Sequence, residues 1–418
     1  MYVFELPYST QKALADVLGI DKSWEEVADF MDMTAEEVIS CRKTANPPFE
    51  LVQYMGILGY PVETMFQILY QMRHQKGMAI LYNHVLDNTL SLKFEELRQA
   101  TNDFASQNVV GKGGYGVVYR AQLKHSLVAV KRFSCRGSKQ TGSHFIPPSS
   151  HLLSQEDKDR WRQTLAELRI SALYRHDNLL PLYGHSLDGP EPCLVYQFMP
   201  LGSLEDRLQC KKHGASGTHQ IAPLNWMERL TILRGAAKGL HFLHSVNKEP
   251  LIHGDVKSAN ILIDANLQSK LGDFGLSRRG AVEIPHNASP MIASHIKGTL
   301  AYLPPEFIRS KHLSSKLDVF SFGVVFYEVL TGFRAYSDRR KPENLVDYIR
   351  VARKSMGEED MMALADGKAG VDGQELCAPL FLSLGAKCTA REPRERPTAG
   401  EVVLALEEVE KKNEVEMG

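Results

Sequence analysis

The hydrophobic period of this chain changes twice, and each change limits what it can fold into. Through residues 1–85, apolar positions recur at i, i+3, i+4 and i+7. Trp24, Val27, Ala28 and Met31 follow that spacing, as do Val62, Met65, Phe66 and Leu69, and then Met78, Leu81, Tyr82 and Val85. Ser23 with Glu26, and Thr34 with Glu37, have capping-box spacing. Pro7, Pro47, Pro48 and Pro61, with Gly19, Gly59 and Gly77, cut the stretch into five or six short helices. Helices this short are stable only when their apolar faces pack on one another, so a compact all-α bundle is predicted. From Val109 the pattern alternates as strands do, and from about Leu224 it becomes long helical stretches. Strands first and helices afterwards predict an α+β unit.

Residues 86–104 read as a short linker, with Phe94, Leu97, Ala100 and Phe104 forming one apolar helical face. Two polar stretches, 134–158 and 209–222, read as loop insertions. The first 85 residues hold six Lys and Arg against eleven Asp and Glu, a net −5, which leaves +4 for the rest of a chain whose total is −1. Glu25, Glu26, Asp29, Asp32, Glu36 and Glu37 therefore form a candidate face for a basic partner, or two ordinary solvated helix faces. The six cysteines lack C-x-x-C or zinc spacing and fit free thiols in a reducing compartment. There is no basic–aromatic pattern for nucleic acid and no signal-peptide pattern. The apolar run Met78–Leu86 is far short of the ~20 residues that span a bilayer.

Three strings carry chemistry. In Gly111-Lys112-Gly113-Gly114-Tyr115-Gly116-Val117-Val118, glycines let the backbone approach phosphates and present amide donors. A Gly-rich hairpin or a dinucleotide fold gives the same string. A dinucleotide fold, however, needs a helix straight after the glycines, and here Val117, Val118 and Tyr119 continue a strand. Val128-Ala129-Val130-Lys131 is a strand ending in an ammonium fifteen residues after Gly116, from where it can reach the α- and β-phosphates. An exposed lysine at a strand end is the alternative. Such a lysine needs a carboxylate to hold it, and Glu167 and Glu156 are the candidates. The third string, His253-Gly254-Asp255-Val256-Lys257-Ser258-Ala259-Asn260, is followed by Asp273-Phe274-Gly275. Its residue types suit phosphoryl transfer. Asp255 would accept or orient a hydroxyl proton, Asn260 and Asp273 would hold Mg²⁺, and Lys257 would offset negative charge.

Together these strings resemble the eukaryotic protein kinase signature over about residues 94–411, joined by Pro304-Pro305-Glu306, by Asp318 in D-V-F-S-F-G, and by Arg396. The resemblance implies a bilobal kinase domain at 105–411, a tail at 412–418, ATP as co-substrate and Mg²⁺ as cofactor. Within kinases the chain is similar to the Pelle and interleukin-1 receptor-associated kinase family. Four features carry this: Leu92-Lys-Phe-Glu-Glu-Leu-Arg-Gln-Ala-Thr-Asn-Asp-Phe104, Arg175-His-Asp-Asn-Leu179, Leu194-Val-Tyr196 and the H-G-D variant. By that likeness Glu167 is the partner of Lys131, Tyr196 is the gatekeeper, and Gln197, Phe198 and Met199 form the hinge that meets adenine. Gly111 to Gly116, Val118, Ala129 and Asp273 complete the ATP site. Asp255, Lys257, Asn260 and Thr299 form the catalytic set, with Thr299 bonding the aspartate rather than acting as a phosphorylation switch. Lys257 and Thr299 also mark serine/threonine specificity. Glu306 with Arg396, and Asp318, are architectural.

Residues 1–85 resemble that family's six-helix death domain, with Trp24 in a matching place on the second helix. The implied protein is a serine/threonine kinase of an innate-immune, Toll/interleukin-1-receptor-like pathway. Its partners would be protein substrates, death-domain adaptors and further copies of itself through 1–85. It would be cytoplasmic and recruited to receptor complexes at the membrane.

Two residues depart from the kinase pattern. Gly254 stands where an arginine usually reads activation-loop phosphate, which predicts activation less by Ser277, Ser289 or Ser294 phosphate and more by clustering. Ser171, four residues after Glu167, stands where an apolar residue usually links its helix to Phe274. A hydroxyl there loses apolar contact, which predicts a helix that rests outward until a partner moves it in. Both departures leave open a scaffold that acts mainly by docking.

Overall fold

A computed structural model describes residues 2–20, 22–31, 33–60, 62–72, 74–85, 89–113, 116–133, 155–189, 191–211, 222–280, 282–283, 300–310 and 312–417. The first unit has six helices among these residues: α1 (Tyr8–Ile20), α2 (Ser23–Phe30), α3 (Ala35–Arg42), α4 (Pro47–Ile57), α5 (Val62–Gln71) and α6 (Gln75–Val85). Trp24, Val27, Leu51, Val52, Phe66, Leu69 and Leu81 are buried where these helices meet. Thr34 caps α3 in a reciprocal box with Glu37. Asn46 caps α4, whose first turn holds Pro47 and Pro48, positions where a missing N–H costs nothing.

The second expected box is not formed. Lys22, in the left-handed region, stands at the N-cap, and Ser23 is the first helical residue. The acidic face is also smaller than expected. Glu37 is committed to Thr34 and to the Tyr54 hydroxyl, and Glu25 pairs with Arg42. Asp32 lies outside the described residues.

The stretch read as a linker is built into the second unit. Its β1 (Leu90–Ser91) pairs in parallel with β5 (Leu182–Ser186), placing Ser91 beside His185. The sheet runs β1-β5-β6-β4-β3-β2, with β2 (Val109–Gly113), β3 (Gly116–Leu123), β4 (Ser126–Arg132) and β6 (Cys193–Gln197), antiparallel beyond β1. One face buries Tyr119, Ala121, Val128 and Val130 against Leu92, Leu97 and Phe104, around the helix α7 (Phe94–Ala100). The period of two then turns Ala129 and Lys131 to the other face. There α8 (Gln155–Leu173) contributes Leu165, Leu168 and Ala172. Because α8 starts at Gln155, the last four residues of the predicted loop 134–158 are helical.

The remaining unit is mainly helical. It comprises α9 (Leu204–Leu208), α10 (Trp226–Ser245), α11 (Pro305–Ser310), α12 (Ser315–Thr331), α13 (Leu345–Ser355), α14 (Glu358–Met361), α15 (Gln374–Cys388) and α16 (Ala399–Met417). Short ladders hold its loops: β7 (Leu251–Ile252) pairs with β10 (Arg278–Arg279), and β8 (Ile261–Ile263) with β9 (Ser269–Leu271). From Leu317 to Thr331, α12 is buried all round, as a helix with no polar stripe must be. The tail assigned to 412–418 is, through Met417, the end of α16. Among the described residues no helix is long and apolar enough to cross a membrane.

Candidate active site

The site begins on β4. Val118 and Lys131 are cross-strand partners, as are Ala129 and Tyr196, so these four share the face that looks toward α8. Lys131 Nζ donates to both Glu167 carboxylate oxygens at 2.8 and 2.7 Å and to Asp273 Oδ1 at 3.0 Å. The Tyr196 hydroxyl donates to Glu167 Oε1 at 2.7 Å, a contact no sequence motif announces. Burial opposes the lysine charge, but the Asp273 and Glu167 carboxylates outweigh it and raise the Lys131 pKa well above the ordinary value. Glu167 is thus the partner and α8 stands inward, contrary to the outward helix predicted from Ser171. Ser171 itself is buried beside the Tyr196 phenol.

The second half of the site is the loop from His253 to Asn260. Asp318, fully buried near the start of α12, accepts from the His253 and Gly254 amides, both at 2.8 Å. Gly254 has φ +78°, and a Cβ there would lie 3.0 Å from the Leu276 carbonyl oxygen. Glycine therefore suits this turn for backbone reasons, whatever an arginine would have done. His253 Nδ1 accepts from the Asp255 amide at 3.2 Å, so Nε2 carries the proton and donates to Gly272 O at 3.1 Å. The Gly272 amide donates to Asn260 O at 3.0 Å. These two bonds fasten Asp273 to the loop.

Lys257 Nζ donates to Asp255 Oδ2 at 2.6 Å, and Asn260 Nδ2 to Asp255 O and Oδ2 at 2.8 and 3.0 Å. Burial, together with Asp273, raises the Asp255 pKa although Lys257 opposes the shift. Burial would also raise Asp273, but Lys131 and Lys257 outweigh it and hold that carboxylate below its ordinary value. Environment thus drives the two carboxylates apart, the pattern of one proton acceptor and one permanent anion.

Gly111, Lys112 and Gly113 close the first hairpin with Gly116. A Cβ at Gly116 would lie 2.2 Å from the Arg132 carbonyl oxygen, so only glycine fits there. Gln197, Phe198 and Met199 leave the end of β6 toward α9, as a hinge requires. Gly114, Tyr115 and Thr299 lie outside the described residues, as do Ser289 and Ser294. Ser277 is described and buried, and its hydroxyl donates to His253 O at 3.0 Å; it is no open phosphorylation site.

The donor set fits magnesium. Asn260 commits its NH₂ group to Asp255, leaving its amide oxygen as the ligand atom, and Asp273 adds carboxylate oxygen. Mg²⁺ commonly takes one or two such oxygens together with substrate phosphates. Among the described residues no group of three or more His, Cys, Asp or Glu could hold a metal without them.

The protein-family profile for the protein kinase domain matches residues 104–405. The Pelle-like serine/threonine-protein kinase pik-1 of Caenorhabditis elegans is 52% identical over 64% of this chain and 52% of its own length. The serine/threonine-protein kinase pelle of Drosophila melanogaster is 38% identical over 77% of this chain and 60% of its own. The serine/threonine-protein kinase BIK1 of Arabidopsis thaliana is 35% identical over 77% and 76%. The chain spans roughly half to three fifths of the two Pelle-type relatives. The matched region encloses Lys131, Glu167, Asp255, Asn260 and Asp273, and this chain belongs to the protein kinase family, in its Pelle and interleukin-1 receptor-associated kinase branch.

Proposed function

We propose that the chain is a protein serine/threonine kinase that transfers the γ-phosphoryl group of ATP to Ser and Thr hydroxyls. One observation carries this reading: the hydrogen-bonded set Lys131, Glu167 and Asp273 is fastened, through the backbone of Gly272 next to Asp273, to the hydrogen-bonded set Asp255, Lys257 and Asn260. Lys131, held by Glu167, orients the α- and β-phosphates. Asp255 orients the acceptor hydroxyl and takes its proton as the new P–O bond forms and the bond to the ADP oxygen breaks. Lys257 faces the charge on the transferring group. When bound by Asn260 and Asp273, Mg²⁺ neutralises charge across the phosphates.

Residues 1–85 act in this reading as a death domain that recruits the kinase through adaptors and through copies of itself. The pathway is Toll/interleukin-1-receptor-like, and the protein works in the cytoplasm at receptor complexes. A formed Lys131–Glu167 pair favours catalysis over scaffolding alone. The test is phosphate incorporation from ATP into a peptide mixture offering Ser, Thr and Tyr. Labelled Ser and Thr, unlabelled Tyr and loss of signal with EDTA are expected; a folded chain that labels nothing refutes the reading.

The pH profile gives a second test. Lys257 stabilises the ionised form of Asp255 at 2.6 Å, so removing it raises the Asp255 pKa further. Activity needs the ionised form and is lost as pH falls through that pKa. In Lys257→Ala the acidic limb of the single-turnover rate should therefore move to higher pH, beyond a wild-type limb already above the ~4 of an ordinary aspartate. A limb that stays put or moves down would remove Asp255 from the role.

A further inference from the structure

The helical bundle does not sit apart from the kinase unit. Helix α5 packs along α8, the helix that carries Glu167. Buried apolar side chains of both units form one unbroken cluster, with Met65, Phe66 and Leu69 from the bundle and Leu165, Leu168 and Ala172 from α8. Beside this cluster lies a polar latch. The ring of His185 in β5, only 1% exposed, is held between two hydroxyls. Tyr82 of α6 meets its Nε2 at 3.0 Å, and Thr89 meets its Nδ1 at 3.0 Å. Neutral imidazole offers one donor and one acceptor, and a hydroxyl can serve either, so both bonds are satisfied in either tautomer. Burial lowers the His185 pKa to about 4, which keeps the ring neutral at physiological pH. Tyr70, near the end of α5, donates to Gly189 O at 3.3 Å in the segment between β5 and β6. Only four residues separate α6 from β1 in the sequence, and the Leu92 amide donates to His185 O at 2.8 Å.

Ser171 puts a hydroxyl where α8 is expected to be apolar, buried beside the Tyr196 phenol, yet α8 stands inward with its glutamate on Lys131. We propose that the bundle is a positioning element of the phosphoryl-transfer site: by packing α5 on α8, secured at Tyr82, His185 and Thr89, it holds Glu167 against Lys131. The partner that a weakened helix calls for is then carried in the same chain. A partner that pulls the bundle away lowers the kinase's grip on ATP, whereas one that engages only its outer surface leaves that grip intact. The inference rests on the kinase reading, and an inactive wild type would fail that reading first.

The test uses the full chain. Tyr70→Phe with Tyr82→Phe removes both bundle hydroxyls at nearly constant shape, and Tyr82→Lys, a second variant, drives a cation against the buried imidazole. Amide hydrogen exchange in α5 and α8 reports docking, and kcat/KM for ATP reports the site. Exchange in α8 should rise while kcat/KM falls at least about fivefold, mostly through KM, in one or both variants. The same changes in a Lys131→Met background should cost little more, because the bundle acts through that lysine; a merely structural loss would add in full. Unchanged exchange in both variants, raised exchange with unchanged or higher kcat/KM, or full additivity with Lys131→Met overturns the proposal.

Discussion

Asp255→Asn should slow single-turnover phosphoryl transfer by roughly 10²–10⁴ while nucleotide binding and folding stay near wild type. The substitution keeps shape and removes the one carboxylate in the loop. Asp255 is 7% exposed and receives Lys257 at 2.6 Å and Asn260 at 3.0 Å, so its carboxylate is aimed and desolvated before any hydroxyl arrives. An amide in its place faces an ammonium and an NH₂ group and must turn its oxygen to both, leaving nothing for the acceptor. The expected loss equals about 3–5 kcal/mol of barrier. ATP contacts through Lys131, Glu167 and Asp273 do not pass through this side chain, so the affinity for Mg-ATP should hold. A loss below tenfold with normal ATP affinity would mean that the hydroxyl needs no acceptor there, and Asp255 would be left as a loop brace.

Why that much of the site was legible in the sequence, and the rest not, follows from distance along the chain. Asp255, Lys257 and Asn260 lie within one short loop, and β4 displays its period of two in four residues, Val128 to Lys131. The amphipathic repeats of α2, α5 and α6 were legible for the same reason, since a helix writes its buried face at i, i+3 and i+4. Contacts between distant segments leave no such record. The Tyr196–Glu167 bond joins a strand to a helix, and the buried pair of Arg229 with Asp366 joins positions 137 residues apart. Strand β1, with two residues, is too short to show a period. The polar start of α8 reads as a loop because Gln155 to Asp159 lack an apolar stripe. An apolar helix face announces that it will be covered, not by what. Nothing in Val62–Gln71 names α8 as its neighbour.

Arg396→Ala should lower folding stability by about 3–5 kcal/mol, the range for breaking a buried ion pair by removing one partner. The guanidinium has no exposed surface and divides its donors among three segments. Nη1 and Nη2 hold the two Glu306 oxygens at 2.6 and 3.0 Å at the start of α11. Nη1 also reaches Lys316 O at 3.1 Å in α12. Nε and Nη2 reach Ala390 O and Arg391 O at 2.9 and 3.3 Å beyond α15, and the group lies 4.9 Å over the Phe320 ring. Alanine would leave three carbonyls short of a donor, one carboxylate without its cation and a void beside an aromatic ring. Each unsatisfied buried group costs about 1–3 kcal/mol. Glu306 is 33% exposed and can take up water, which keeps the total from the upper end of that sum. Arg396→Lys should recover little of the loss, because one ammonium cannot span two carboxylate oxygens and three carbonyls. Denaturant midpoints of the two variants against wild type measure the effect. A drop below about 1 kcal/mol for alanine would show that water replaces the guanidinium there, in which case Glu306 needs no cation to hold the segment before α11 in place.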